Sequence, residues 1–486
     1  MKRAVLVMAG CLCWAAAGFA ADFPGLKLES SQGPTQVGEA VSLSLANPAL
    51  APREAGTAAW TYTLTDPKAA YVAPHFGAFN LPQGARLVVR ASDGSRSWSY
   101  EGTGKGELGL RGGFWGIHIP GNTAILEIFS TVPVSAGAIR IDRYARGYNF
   151  PGGGDSEALC GADDSQWAKC YQTSHPTVYN TSRAVARLLI NGTNLCTGWL
   201  VGSDGHLMTN EHCIMSAADA LNTDYEFMAE GATCGTSCAS ALGCPGIVEA
   251  TSAPLIQLST PLDYALVKLP ANLVRRYGFL QMRNTGTNAA ERIYIPQHAA
   301  GWGKRIALHS THPNDTSGYC EVQSVTRPSC SGASVDDIGY YCDTQGGSSG
   351  SPVLGLCDNA VVSLHHCANC PNRGVPIDAV ITDLGANLPP NSITTSSWSC
   401  DDCGPGFCLG QSYCDSWGCF PATSTISRAA CQCGLMNPSC GLGACVGDNY
   451  CDGPNCQTPV CWINTAPQSQ IMCNGKHLDA SCNVVP

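Results

Sequence analysis

Three short stretches carry side chains that could support nucleophilic chemistry. "CTGWLVGSDGHLMTNEHC" (196–213) ends with His212 directly before Cys213. "LDYALVKL" (262–269) puts Asp263 at the head of an alternating strand pattern. "CDTQGGSSGSPVLG" (342–355) packs four glycines and three serines around one proline, then turns into an apolar run. A serine hydroxyl is a poor nucleophile until a base takes its proton. An imidazole can do so near neutral pH, and a buried carboxylate can fix its tautomer and stabilise the imidazolium that forms. The oxyanion that develops needs main-chain N–H donors, and glycine lets a chain turn tightly enough to aim them.

These stretches sit among short β-forming runs. "AVARLLI", "CTGWLV", "HLMTN", "YALVKL", "IYIP", "RIALHS", "SPVLGL" and "AVVSLHH" read as strands, and "ITDLGANL" near 381–388 as a short helix. Long helical periodicity is rare, so residues 147–395 are expected to form a β-barrel or a pair of barrels.

His-Cys after a Thr-x-x, an Asp-x-Ala-Leu-x-x-Leu strand and a Gly-x-Ser-Gly-x-Pro turn, in that order, resemble the trypsin- and chymotrypsin-like serine proteases. The nearer likeness is to the bacterial lysyl-endopeptidase-like and glutamyl-endopeptidase-like branches, with their "GSSGSP"-type turn. The resemblance implies a double β-barrel with Ser349 as nucleophile, His212 as general base and Asp263 as orienting carboxylate. It also implies an oxyanion hole from the Gly347 and Ser349 amides and a Cys196–Cys213 disulfide bracing the histidine loop. Ser348 stands where trypsin-like zymogens keep an aspartate, so that activation switch is expected to be absent. Cys342 is expected to pair with Cys367 or Cys370. No cofactor is implied.

By the family's geometry Asp343, six residues before Ser349, lies at the base of the primary pocket and favours cleavage after Lys or Arg. Gly374 then leaves room for a long side chain, and Ser363-Leu364-His365 forms the strand that pairs with substrate backbone. Histidines on that wall offer the alternative of cleavage after Glu. His365, His366, Cys367 and Cys370 also look like a metal cluster, although an exported chain favours a disulfide with two loop histidines.

Composition supports export. The chain has 486 residues, of which 44% are hydrophobic and 13% charged, with a formal net charge of −10. The acidic balance argues against a nucleic-acid partner and leaves proteins and peptides as expected substrates. Met1-Lys2-Arg3 followed by "AVLVMAGCLCWAAAGF" reads as a signal peptide over 1–20, too short to span a membrane comfortably. The 29 cysteines fit an oxidising compartment. Cys11 and Cys13 leave with the signal, and the odd number that remains leaves one thiol unpaired or paired with another chain.

Cysteine usage divides the rest. Residues 21–146 hold none, and "ARLVVRA", "SWSYEG", "FWGIHI" and "AILEIF" suggest an antiparallel sandwich. "YVAPHF", "LPQGARLVVRASDGSRSW" and "FWGIHIPGNTAILEIFS" resemble the β-rich pro-region of lysyl-endopeptidase-like proteins, the rival being a permanent binding domain. The Arg146–Gly147 bond is expected in an exposed stretch suited to proteolysis. Residues 396–486 hold fourteen cysteines and few large aliphatics, so disulfides must hold this region together, with Cys400-x-x-Cys403 offering half a zinc site as the alternative. Such a tail suits surface or matrix binding. A protease-like core kept only for adhesion is the non-enzymatic alternative.

Overall fold

The computed structural model describes residues 33–108, 112–149 and 159–394, together with five short strands between 413 and 485. The signal-peptide reading, Cys400-x-x-Cys403 and the disulfides of the tail lie outside the described residues.

The chain is mainly β. Its N-terminal region folds into two antiparallel sheets. One orders Gly38–Ala46, Ile139–Gly147, Tyr71–Phe79 and Phe114–Trp115, with Ile119–Pro120 also on Tyr71–Phe79. The other orders Ala58–Thr65, Thr123–Ser130, Ala85–Ala91 and Ser97–Glu101. Period-two patterning drives the packing: along Thr123–Ser130 every second residue is buried. Phe76, Phe79, Leu87, Val89, Tyr100, Phe114, Leu126 and Ile128 meet in the sandwich core. The expected open stretch at Arg146–Gly147 is instead the end of a strand paired on both sides. Arg146 is fixed there by ion pairs to Asp66 and Glu39.

Two further, largely antiparallel systems make the double barrel. In the first, Val185–Ile190, Asn194–Val201, His206–Thr209 and Tyr264–Lys268 are consecutive neighbours. In the second, Ile293–Gln297, Pro352–Gly355, Val361–Cys367, Asn372–Pro376 and Asp337–Tyr340 are consecutive. The helix expected near 381–388 starts earlier, over Ile377–Leu384, and its Ile377, Val380 and Leu384 are buried.

The sandwich is joined to the first barrel through buried polar contacts. Thr35–Gln36 adds as a strand to Asn194–Val201. The Tyr71 hydroxyl donates to the Gly192 carbonyl at 3.0 Å, and the Trp115 amide to Asn222 Oδ1 at 2.9 Å. His118 donates to Asp224 from both its amide (2.9 Å) and its Nδ1 (2.7 Å). Glu226 accepts from Arg96 of the sandwich and from Arg187 of the barrel, at 2.5 and 2.7 Å. Burial pushes the Glu226 carboxyl up, but Arg187 and Arg96 outweigh it and hold the group well below the usual carboxylate range. The stabilisation this gives is present above the ordinary glutamate pKa and is lost as pH falls through the depressed one.

Replacing Glu226 by Gln leaves two buried guanidinium groups without an anion, so chemical denaturation is expected to show a loss of about 3–5 kcal/mol. A change within about 0.5 kcal/mol, the range of ordinary surface substitutions, would remove the cluster from the interface's energetics.

Candidate active site

The strand His206–Thr209 delivers the chain to the turn that carries His212. Two ties hold this turn. The Cys196–Cys213 disulfide forms, and the Thr209 hydroxyl donates to the Thr197 carbonyl at 2.7 Å. Asp263 immediately precedes the strand Tyr264–Lys268, the neighbour of His206–Thr209, with a backbone φ of +43°. Asn210 Nδ2 donates to the Asp263 carbonyl at 2.8 Å and fixes that unusual backbone.

His212 and Asp263 are both buried and paired twice. The His212 amide donates to Asp263 Oδ1 at 2.9 Å, and Nδ1 faces Oδ2 at 2.8 Å. An ionised carboxylate only accepts, so this contact puts the proton on Nδ1 and leaves the lone pair on Nε2. Nε2 is buried and has no hydrogen-bond partner among the described residues. Burial pushes the Asp263 carboxyl up, but His212 and His366 outweigh it, and the group stays ionised well below the usual carboxylate range.

Ser349 lies on a tight turn against the histidine loop. Gly347 and Gly350 take φ values of +95° and +85°. A Cβ at Gly350 would stand 2.2 Å from the Thr197 carbonyl oxygen and 2.4 Å from Thr209 Oγ1, so only glycine lets the turn approach so closely. Thr197 clamps the turn, its amide donating to the Ser349 carbonyl at 2.9 Å and its hydroxyl to the Gly347 carbonyl at 2.8 Å. Cys213 Sγ lies 4.0 Å from the Ser349 carbonyl oxygen. The turn and the histidine loop therefore share the same disulfide and the same threonine. Among the described residues the Gly347 and Ser349 amides have no acceptor. Ser349 Oγ and His212 Nε2 are not hydrogen-bonded to each other, a state common before substrate binds.

The expected pocket residues are arranged differently. Asp343 accepts the Cys160 amide on Oδ1 at 3.0 Å and the Asp164 amide on Oδ2 at 2.7 Å. Both carboxylate oxygens thus accept main-chain donors, and burial pushes the Asp343 pKa up to about 6. The space at Gly374 is also taken: a Cβ there would meet Ser363 Oγ at 2.3 Å. That hydroxyl donates to the Val375 carbonyl. Ser363 and Leu364 lie in a strand paired on both sides, and His365 bonds Gly350 and Ser351 through its main chain. The segment therefore has no free edge for substrate backbone. His365 Nδ1 lies 2.8 Å from the Tyr340 hydroxyl. Burial pushes the His365 imidazole down to about 3, so the ring is neutral.

Cysteine pairing corrects another expectation. Cys367 pairs with Cys330 and Cys370 with Cys160, while Cys342 is a buried thiol, as is Cys320. Sequence reasoning also missed what His366 does. Its Nδ1 lies 3.3 Å from Asp263 Oδ2. The strand's register shifts between His365 and Cys367, so His366 lies at an irregularity that a period-two reading of the sequence does not place.

Among the described residues no helix is long and apolar enough to cross a membrane. Residues 196–364 match the family model of the trypsin-like peptidase domain. The chain is 41% identical over 353 residues to the secreted RxLR effector protein 73 of Plasmopara viticola, across 69% of this chain and 84% of that protein. The structure of the active form of the Rv3671c protease from M. tuberculosis aligns with a TM-score of 0.32 and 14% identity, over 47% of this chain and 89% of that one. A Glu endopeptidase in complex with MPD aligns with a TM-score of 0.32 and 15% identity, over 47% and 98%. By the identity and extent of its match to the Plasmopara viticola protein, this chain belongs to that protein's family, and the domain it carries over 196–364 is a trypsin-like peptidase domain.

Proposed function

We propose that this chain is an exported serine endopeptidase that cleaves peptide bonds through an acyl-enzyme on Ser349. The observation that carries the reading is the buried His212–Asp263 pair, whose unpartnered Nε2 belongs to a loop clamped to the Ser349 turn. The secreted relative supports export.

Nε2 takes the Ser349 hydroxyl proton as Oγ attacks the substrate carbonyl carbon. The negative oxygen is received by the unpaired amides of Gly347 and Ser349, preset donors that need no reorganisation. Asp263 stabilises the imidazolium that results. Collapse breaks the C–N bond, and the leaving amine takes the proton from Nε2. Water then repeats the sequence against the ester, with His212 as base and Ser349 as leaving group.

The division into 21–146, 147–395 and 396–486 is retained in this reading, with the first region docked on the peptidase domain. Support comes from the Arg96–Glu226–Arg187 cluster and from the strand contributed by Thr35–Gln36. The tail is assigned to surface or matrix binding.

The expected preference for Lys or Arg rested on the Asp343 charge, and the alternative preference for Glu on histidines at the pocket wall. The Asp343 carboxylate is tied to two main-chain amides and the His365 ring is neutral. Primary specificity in this reading is set by pocket shape and not by either group.

An active-site fluorophosphonate is expected to label Ser349, and Ser349→Ala to abolish labelling without unfolding. Wild-type protein that stays unlabelled while folded would favour the adhesion alternative. Asp263→Asn presents the wrong tautomer of His212 and should lower kcat by roughly 10⁴-fold with geometry intact, whereas a loss under about tenfold would contradict the role of Asp263. On a peptide library, Asp343→Asn is expected to leave the ratio of Lys/Arg to other cleavages within about twofold of wild type, a small difference in the scale of pocket discrimination. A collapse of basic selectivity in that variant would return Asp343 to the pocket.

A further inference from the structure

Asp263 does not serve His212 alone. The His366 imidazole stands between two buried carboxylates, with Nδ1 3.3 Å from Asp263 Oδ2 and Nε2 3.1 Å from Asp337 Oδ2. Only the imidazolium carries N–H on both nitrogens, so both contacts are satisfied at once only by the charged ring. Its side chain is wholly buried, where an unpaired cation would be costly.

The outer carboxylate is itself fixed. Asp337 Oδ2 accepts the Cys330 amide at 3.0 Å, and Cys330 is disulfide-bonded to Cys367, the residue after His366. Cys330 Sγ lies 3.2 Å from His366 Nε2. The titratable groups around the ring are therefore Asp263 at the head of the strand Tyr264–Lys268, Asp337 in the strand Asp337–Tyr340, and His212 beyond Asp263. His365 is the neighbour along the strand and is turned toward Tyr340.

We infer that His366 is a positioning residue for the proposed reaction: bridging Asp337 and Asp263, it locks the carboxylate that orients His212 and offsets part of that carboxylate's charge. Asp263 Oδ2 then faces two ring N–H groups while Oδ1 accepts the His212 amide, so the side chain cannot rotate away. The inference rests on the reading of Ser349, His212 and Asp263 as catalytic.

The consequence is visible in pH dependence. Burial pushes the His366 pKa down, but its bonds to Asp263 and Asp337 outweigh that and raise it to about 9. For a cation with a raised pKa the stabilisation is complete below the ordinary histidine value and is lost as pH rises through about 9. Above that point one ring nitrogen presents a lone pair to a carboxylate.

The test is the rate of Ser349 labelling by a fluorophosphonate as a function of pH, which needs no knowledge of the substrate. For wild type the rate is expected to fall on the alkaline side near 9. In His366→Gln that alkaline limb should disappear and the plateau rate should fall about 10- to 100-fold, the scale of losses from a misplaced catalytic group. Asp337→Asn, which keeps the His366–Asp263 contact, should instead move the alkaline limb to lower pH, and it serves where His366→Gln does not fold. If wild type is not labelled at any pH, the catalytic reading and this inference both fail. If wild type is labelled but the alkaline limb stays in place in the folded variants, the inference alone is overturned.

Discussion

A single buried carboxylate organises the site. Asp263 holds His212 by two hydrogen bonds, one from the main chain and one from the ring, and thereby sets both the position and the tautomer of the imidazole. Its burial would push the carboxyl toward neutrality, and it remains an anion because nitrogen donors surround it. The double barrel provides the frame for this arrangement. Neighbouring strands bring the histidine loop and Asp263 together across the first barrel, and the second barrel delivers the Ser349 turn to the same place.

The same physical pattern recurs at the junction with the N-terminal sandwich. There Glu226 is the buried anion, and Arg96 and Arg187 arrive from different regions of the chain to match it. A hydrophobic contact tolerates sliding, whereas two charges matched in a dry interface accept only one register. The added strand at Thr35–Gln36 strengthens that register and runs beside the Ser349 turn, where a Cβ at Gly346 would meet Thr35 Oγ1 at 2.5 Å. The segment that precedes the sandwich therefore packs directly against the Ser349 turn.

Much of this was readable from sequence where the cause is local. Alternation along Thr123–Ser130 and the mostly apolar run Val185–Ile190 marked strands because a strand's side chains take turns between faces, or run apolar when both faces are covered. The glycines at 347 and 350 marked a turn because their φ values are ones that other residues rarely adopt. The nearness of His212 and Asp263 was suggested by residue type and order. What was not readable depends on distant partners. Asp343 looks like a pocket charge until the Cys160 and Asp164 amides, some 180 positions away, cover it. Arg96 and Glu226 are 130 positions apart and carry no mutual signature. His366 gave no sign of its role because its partner Asp263 lies 103 positions away.

The most direct measurement of the central claim is proton NMR in the far downfield region, where ring N–H protons bonded to carboxylates resonate. The account predicts a resonance assigned to His212 Nδ1–H that is lost in His212→Gln and in Asp263→Ala. It also predicts a separate one, assigned to His366, that survives His212→Gln. A folded wild-type protein with no downfield signal removed by His212→Gln, at any pH where the fold persists, would contradict the pairing on which the site depends.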